Sequence, residues 1–301
     1  MNIDLRHEDG LQFLESIPDD SVELILTDPP YITSRDSGMD KWVDHVAKQD
    51  SENSVNIMTE EQWQDYKTAE EWDTWFDNSK IEESKRLKEL KKMKASFLKY
   101  GSIYGKKYAV KTNYGSWDSE FTLEKLQLFI NHFYRVLRPG GTCIVFFDIW
   151  KITNLKDMLE AKNDKDKPTM FKQIRFIEWI KTNPQPINSK VNYLTNCREI
   201  ALLGIKKSKP TFNSKYDNGI YCHPIQGGKN RFHPTQKSLP LFEQLIKKHS
   251  NEGDLVLDCF AGSATTAIAA MNNGRNFVGC ELDEEYCQKS VERISRNSLD
   301  T

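Results

Sequence analysis

The sequence predicts an α/β fold: a doubly wound, mostly parallel sheet carrying a helical insertion. Three observations carry this. Short apolar runs of strand length alternate with segments of helical period, the pattern of successive βαβ units. Runs such as VELILT and DLVLDCF have continuous apolar cores, which is how strands read when helices cover both faces of a sheet. A charged stretch, 36–115, then breaks the alternation.

Taken in order, Asp9-Gly10 opens a turn, LQFLESI is amphipathic, and Pro18-Asp19-Asp20-Ser21 is a loop before the strand VELILT. Residues 1–31 thus read as helix and then strand. In KIEESKRLKELKKMKASFLKY, Leu87, Leu90, Met93 and Phe97 recur three or four apart, so the insertion is expected to be mostly helical. Four of the seven tryptophans (42, 63, 72 and 75) fall in it and are expected in its core. LEKLQLFINHFYRVL is helical and stops at the turn Arg138-Pro139-Gly140-Gly141. TCIVFFDIW is a strand, with a helix near 151–161 and a loop at 162–168. QIRFIEWIKT is a strand broken by Asn183-Pro184-Gln185-Pro186, REIALLGIKK is another, and 207–232 is irregular. SLPLFEQLIKKHS, TTAIAAMNNG and EEYCQKSVERISRN are helices; DLVLDCF and NFVGCEL are strands.

The chain has 301 residues, 38% hydrophobic and 29% charged, enough for one large domain with insertions or for two. No apolar run reaches membrane-spanning length. The first ten residues carry three acids and no apolar stretch, so no signal peptide is expected. The six cysteines form no CxxC pair and have no histidine at ligand spacing, which argues for reduced thiols and against zinc. Net charge is −2, but it is segregated: residues 36–78 hold twelve acids and three bases, and 80–111 eleven bases and three acids. A nucleic-acid footprint is local, so the bland total does not exclude one.

Two motifs point to chemistry. In LILTDPPYIT a strand ends at Asp28-Pro29-Pro30-Tyr31; two prolines lock φ, remove N–H donors and hold the tetrapeptide stiff. In DLVLDCFAGSATT a strand leads through small residues into a helix, at the carboxyl end where open α/β sheets bind ligands. Glu281, 23 residues after Asp258 at the end of the next strand, can accept hydrogen bonds from both hydroxyls of a ribose. The G-x-G-x-x-G of a dinucleotide site is missing. An adenosine ligand without a pyrophosphate needs fewer glycines, and S-adenosyl-L-methionine is one.

Together the motifs resemble the amino-methyltransferases of DNA, in the order where the tetrapeptide precedes the cofactor loop. NYGSWDSEFTLEKLQLFINHFYRVLRPGG (113–141), WIKTNPQP (179–186) and RFHPTQKSLPL (231–241) resemble further segments of that family, with Ser238 where proline is usual, Cys259 for a proline and Ala264 for a second glycine. The resemblance covers about two thirds of the chain and implies a Rossmann-like fold in permuted order, using S-adenosyl-L-methionine. It assigns Asp28, Pro29, Pro30 and Tyr31 to catalysis. To the cofactor it assigns Asp258, Phe260, Ala261, Gly262, Ser263 and Glu281, the segment His233, Thr235, Gln236 and Lys237, and Asp9 beside the adenine. If position 264 needs φ > 0, alanine there is expected to weaken the cofactor site.

The implied division is a catalytic core of 1–35, 116–186 and 231–301, a helical insertion 36–115 for DNA contact or dimerisation, and a candidate target-recognition loop region, 187–230. The last carries Lys190, Arg198, Lys206, Lys207, Lys209, Lys215 and Lys229, with Arg231 beside it, suited to phosphates and base edges. The expected partners are DNA, a second copy and a cognate restriction endonuclease; the expected setting is the cytoplasm, bacterial or phage-encoded. Asp rather than Ser at 28 favours adenine N6 over cytosine N4. Two other readings stand beside it: methylation of a protein glutamine, against which the motif order counts, and an inert nucleic-acid-binding module, against which intact Asp28, Tyr31 and Glu281 count.

Overall fold

The computed structural model describes residues 1–32, 48, 56–70, 82–103, 121–161, 170–184, 197–227, 231–233 and 235–300, without the side chains of 299 and 300. The chain divides into two compact units, one of Met1–Ile32 with Tyr114–Thr301, the other Thr33–Asn113.

The first unit holds β1 (Ile3–His7), α1 (Gly10–Ser16), β2 (Val22–Thr27), α4 (Leu123–Val136), β3 (Leu137–Phe147), α5 (Ile152–Glu160), β4 (Phe171–Lys181), β5 (Arg198–Lys206), β6 (Ile220–His223), α6 (Leu239–His249), β7 (Leu255–Asp258), α7 (Thr265–Asn272), β8 (Asn276–Glu281) and α8 (Glu284–Asp300). The second holds α2 (Glu60–Ala69) and α3 (Glu83–Tyr100).

One eight-stranded sheet runs β1-β8-β7-β2-β3-β5-β4-β6. Every pairing is parallel except β5 with β3 and with β4. The central strands show why they read as continuous apolar runs. On β2, Val22 and Ile25 enter a core with Phe13, Phe129 and Phe133, while Leu24 and Leu26 enter another with Phe242, Leu245 and Ala267. α1, α4 and α5 therefore cover one face, and α6, α7 and α8 the other.

Three details depart from the sequence reading. β1 and β6 are five and four residues long; the sequence reading has no strand before α1 and places β6 in irregular chain, because neither carries an apolar run. Arg138–Gly141 is no free turn but lies within β3. Between the pairs Val22–Leu137 and Leu24–Thr142, β3 takes five steps against two on β2, so the proline and glycines bulge out of the ladder. Finally, Lys206 is buried and paired with Asp20 at 2.6 Å. It ends β5 beside the start of β3, and Lys209 follows there against Gly140. Lys206, Lys207 and Lys209 are thus at the amino-terminal edge of the parallel strands, opposite Asp28. The burial of Lys206 corrects the expectation that it is free to meet phosphates; Lys207 and Lys209 are exposed. Lys190 and Lys229 lie outside the described residues.

In the second unit a capping box of Thr59 and Gln62 starts α2, and Gly101 at φ 71 ends α3. Trp63, Phe97 and Ile103 form its buried cluster with Met58, Tyr66 and Met93. Trp63 is thus core as expected; Trp42, Trp72 and Trp75 lie outside the described residues. The apolar stripe of α3 holds only in its second half, since Leu87 is 55% exposed. No described helix is long and apolar enough to cross a membrane.

Candidate active site

β2 and β7 are parallel neighbours, with Ile25 beside Leu257. Their carboxyl ends therefore deliver Asp28 and Asp258 to one edge of the sheet. The two ends are tied together: Thr27 Oγ1 donates to Asp258 Oδ1 at 2.6 Å. Asp258 also accepts from Thr266 Oγ1 at 2.6 Å and from the Phe260 amide at 3.1 Å. Burial raises its pKa and these three bonds oppose the rise. Asp258 is the buried peg of the loop that follows.

That loop, Phe260–Ala264, is held from behind. Glu281, at the end of β8, accepts from the Gly262 amide at 2.7 Å and the Asp283 amide at 3.0 Å. From α8, Ser290 Oγ donates to Gly262 O at 2.7 Å and Arg293 Nη1 to Ser263 O at 2.6 Å. Gly262 sits at φ 50, and a side chain there would meet the His233 imidazole at 3.5 Å. Phe260 packs on Phe129, ring centroids 4.7 Å apart.

Ala264 has φ 57 and ψ 33, the left-handed region. This costs alanine about 1–2 kcal/mol. A glycine would remove that strain, but would lose a buried methyl of about 0.8 kcal/mol and cost about 0.4–1 kcal/mol more through its freer unfolded chain. The terms nearly cancel. Ala264→Gly is therefore expected to move stability by less than about 1 kcal/mol, whereas β-branched Ala264→Val loses at least about 2 kcal/mol. Thermal unfolding midpoints check this, and a large gain with glycine would contradict it.

One cleft is lined by Asp28, by His233, Thr235, Gln236 and Lys237, and by Phe260, Ala261, Gly262 and Ser263. Burial pushes the His233 pKa down to about 4, with nearby Lys237 adding to the effect, so its ring is neutral; it packs edge-on to Tyr286. Pro29 is buried. Tyr31 packs edge-on to Phe147, ring centroids 6.2 Å apart, and belongs to the adjoining core rather than the cleft wall. Glu281 lies behind Gly262. Asp9 is the N-cap of α1, accepting from the amides of Leu11 and Gln12, and the neighbouring Gly10 closely approaches the Cys259 carbonyl.

Asp28 stands at the end of β2, beside the cleft. Its Oδ2 lies 2.7 Å from Lys237 Nζ; its Oδ1 and the Tyr31 hydroxyl, which faces the same carboxylate, are buried and meet no hydrogen-bond geometry among the described residues. Burial pushes the Asp28 pKa up to about 6 against the opposing pull of Lys237. Cys259, beside the loop, is buried and its thiol is held protonated. Reading the motifs alone missed Glu199, Lys181, Ser290 and Arg293. For Glu199 the signal was slight: it stands with Arg198 at the charged start of a strand whose middle is apolar, REIALLGIK.

With that geometry in place, the comparisons with known proteins speak to the family. Residues 102–292 match the N6/N4 methyltransferase family, described as DNA methylase. The chain belongs to this family. The matched region starts downstream of Asp28 and takes in the loop, Glu281 and the His233–Lys237 segment. This DNA methylase is 30% identical over 206 residues to Type II methyltransferase M2.DpnII of Streptococcus pneumoniae, covering 62% of this chain and 73% of that one. It is 52% identical over 58 residues to Type II methyltransferase M1.MboII of Moraxella bovis, 19% of this chain and 22% of that one. Among solved structures it resembles an M1.HpyAVI–SAM complex, with 23% identity, TM-score 0.56, and 97% and 98% of the two chains covered. It also resembles the cytosine-N4-specific PvuII DNA methyltransferase, with 16% identity, TM-score 0.59, and 99% and 92% covered. At such identities the likeness speaks for the fold.

Proposed function

We propose that this DNA methylase transfers a methyl group from S-adenosyl-L-methionine to the exocyclic N6 of an adenine turned out of the duplex. The observation that supports the reading is the shared cleft, which Asp28 lines together with the Phe260–Ser263 loop, one Asp28 oxygen being buried without a hydrogen-bond partner among the described residues.

The residues suit the cofactor. Gly262 leaves open the space in front of His233, Phe260 offers a ring to the adenine, and Glu281 has acceptor capacity beyond its two backbone bonds for ribose hydroxyls. When bound, S-adenosyl-L-methionine supplies a methyl group already activated as a sulfonium. The protein's task is alignment and electrostatics. An exocyclic amine is a poor nucleophile, because its lone pair is delocalised into the ring. Asp28 Oδ1 accepts one of its N–H bonds and the Pro29 carbonyl the other, which draws the lone pair out of the ring plane toward the methyl carbon. Asp28 is then placed to take the proton that the methylated nitrogen sheds. Tyr31, packed in the adjoining core, would have to turn toward the cleft to stack on the extruded base.

Tritiated methyl incorporation into DNA free of amino-methylated bases, followed by nucleoside chromatography, tests the base. We expect N6-methyldeoxyadenosine. N4-methyldeoxycytidine would overturn the adenine assignment and leave the cleft's role intact.

For the rest of the chain we propose that Arg198 and Arg231, at the carboxyl edge of the sheet, serve target reading. The lysine-rich face of α3 tracks a DNA backbone or meets a second copy. Relatives named Type II methyltransferases support a cytoplasmic role beside a restriction endonuclease, in a bacterium or phage.

A further inference from the structure

Four charged side chains form a row at the carboxyl edge of the sheet. Lys237 Nζ lies 2.7 Å from Asp28 Oδ2 and 2.5 Å from Glu199 Oε2. Glu199 Oε1 lies 2.7 Å from Lys181 Nζ. The side chains are 8–18% exposed, and they come from the end of β2, the start of β5, the end of β4 and the segment before α6. Their signs alternate, so the row is neutral. The Lys237 ammonium also stands over the rings of Tyr31 and Phe146, at 5.6 and 5.5 Å.

We propose that Lys237, anchored by Glu199, is a positioning residue for methyl transfer: it occupies one oxygen of Asp28 and fixes the other, unpaired one toward the incoming amino group. This rests on the role given to Asp28 above, and it assigns Lys237 to the catalytic carboxylate rather than to the cofactor. The terminal torsion of an aspartate is broad, so a carboxylate at a strand end does not by itself hold one oxygen in place. A cation on Oδ2 does. A lysine on a four-carbon stem is itself mobile; Glu199 removes that freedom, and Lys181 balances Glu199.

Asp28 is faced by Lys237, Glu199, Asp258 and the Tyr31 hydroxyl. Lys237 favours its ionised form, while Glu199 and Asp258 disfavour it. Single-turnover transfer of tritiated methyl to unmethylated plasmid DNA, followed against pH, reads the row directly. Lys237→Met is expected to slow transfer at neutral pH by about 10²-fold and to move the acid limb to higher pH. Adding Glu199→Gln removes the uncompensated charge; the limb returns toward lower pH and about tenfold in rate is regained. Glu199→Gln alone moves the limb to lower pH, and decides the matter should Lys237→Met fail to fold.

A raised KM for S-adenosyl-L-methionine with an unmoved limb would make Lys237 a cofactor ligand and overturn the proposal. Lost rate with an unmoved limb and no recovery in the double variant would leave only a structural role and overturn it too. Asp28→Asn separates the two readings. If that variant transfers at the wild-type rate, the role of Asp28 itself fails. If it is slow while the Lys237→Met limb stays put, only the present inference fails.

Discussion

Asp28→Asn is expected to lower the single-turnover rate by about 10²–10³-fold, the usual cost of removing one preorganised electrostatic partner of a transition state, while leaving S-adenosyl-L-methionine binding within about threefold of the parent. Asparagine keeps the shape of the side chain. It loses the charge that favours a developing cation on the amine, and with its oxygen drawn to Lys237 it presents N–H groups to the N–H groups of the amine. Asp28 is needed ionised. Its pKa sits up at about 6 because burial disfavours the charge more than Lys237 restores it. The rate should therefore be full above that pH and fall as pH drops through about 6. The asparagine variant, with nothing to titrate there, should lack that limb. The fold should survive the change, because Lys237 keeps Glu199 as a partner and is not left as an isolated buried charge. A parent enzyme whose rate stays flat below pH 6 would show that the carboxylate is not titrating in the transfer step.

How far the sequence could be read follows from where the physics is local. Strands buried on both faces write themselves as apolar runs, so β2, β3, β7 and β8 were legible, and with them the alternation that makes the sheet. β1 and β6 were not, because IDLRH and IYCH are short and mixed and owe their pairing to a neighbour, β8 in one case and β4 in the other. The meeting of Asp28 with the Phe260 loop was legible only through two motifs at two strand ends; the bond between Thr27 and Asp258 that fastens them is a contact across 231 positions, invisible to any window. The same limit hid the row through Glu199. Lys237 could be read as part of a segment near the cofactor, but nothing local shows that its ammonium reaches Asp28, since the partner is set by the order of strands in the sheet. Asp9 shows the opposite case. Its local reading as the turn before a helix is what the structure has, with one carboxylate oxygen, Oδ1, capping two amides. The backbone at Ala264 was undecidable from residue type, because alanine enters the left-handed region only where the surroundings hold it there.

Glu281→Ala is expected to weaken S-adenosyl-L-methionine binding by about 10–10²-fold, from the loss of hydrogen bonds to a charged acceptor worth about 1.5–3 kcal/mol. The difficulty is that Glu281 already has two tasks. Its oxygens hold the Gly262 and Asp283 amides, so alanine also orphans two backbone donors and loosens the loop, and weakened binding alone would not show contact with the ligand. A second ligand resolves this. S-adenosylhomocysteine and its 2′-deoxy analogue differ by one ribose hydroxyl. If Glu281 accepts from the ribose, calorimetry should find the deoxy analogue weaker against the parent enzyme, and the gap should close in Glu281→Ala, because the lost hydroxyl and the lost carboxylate then count once rather than twice. If Glu281 only braces the loop, both ligands weaken together and the gap persists. Burial holds the pKa of this carboxyl above its usual range, against its two backbone bonds. Two further hydroxyl donors would stabilise the ionised form, so cofactor binding should lower that pKa. Calorimetry at mildly acid pH should then show protons released on binding by the parent and none by Glu281→Ala.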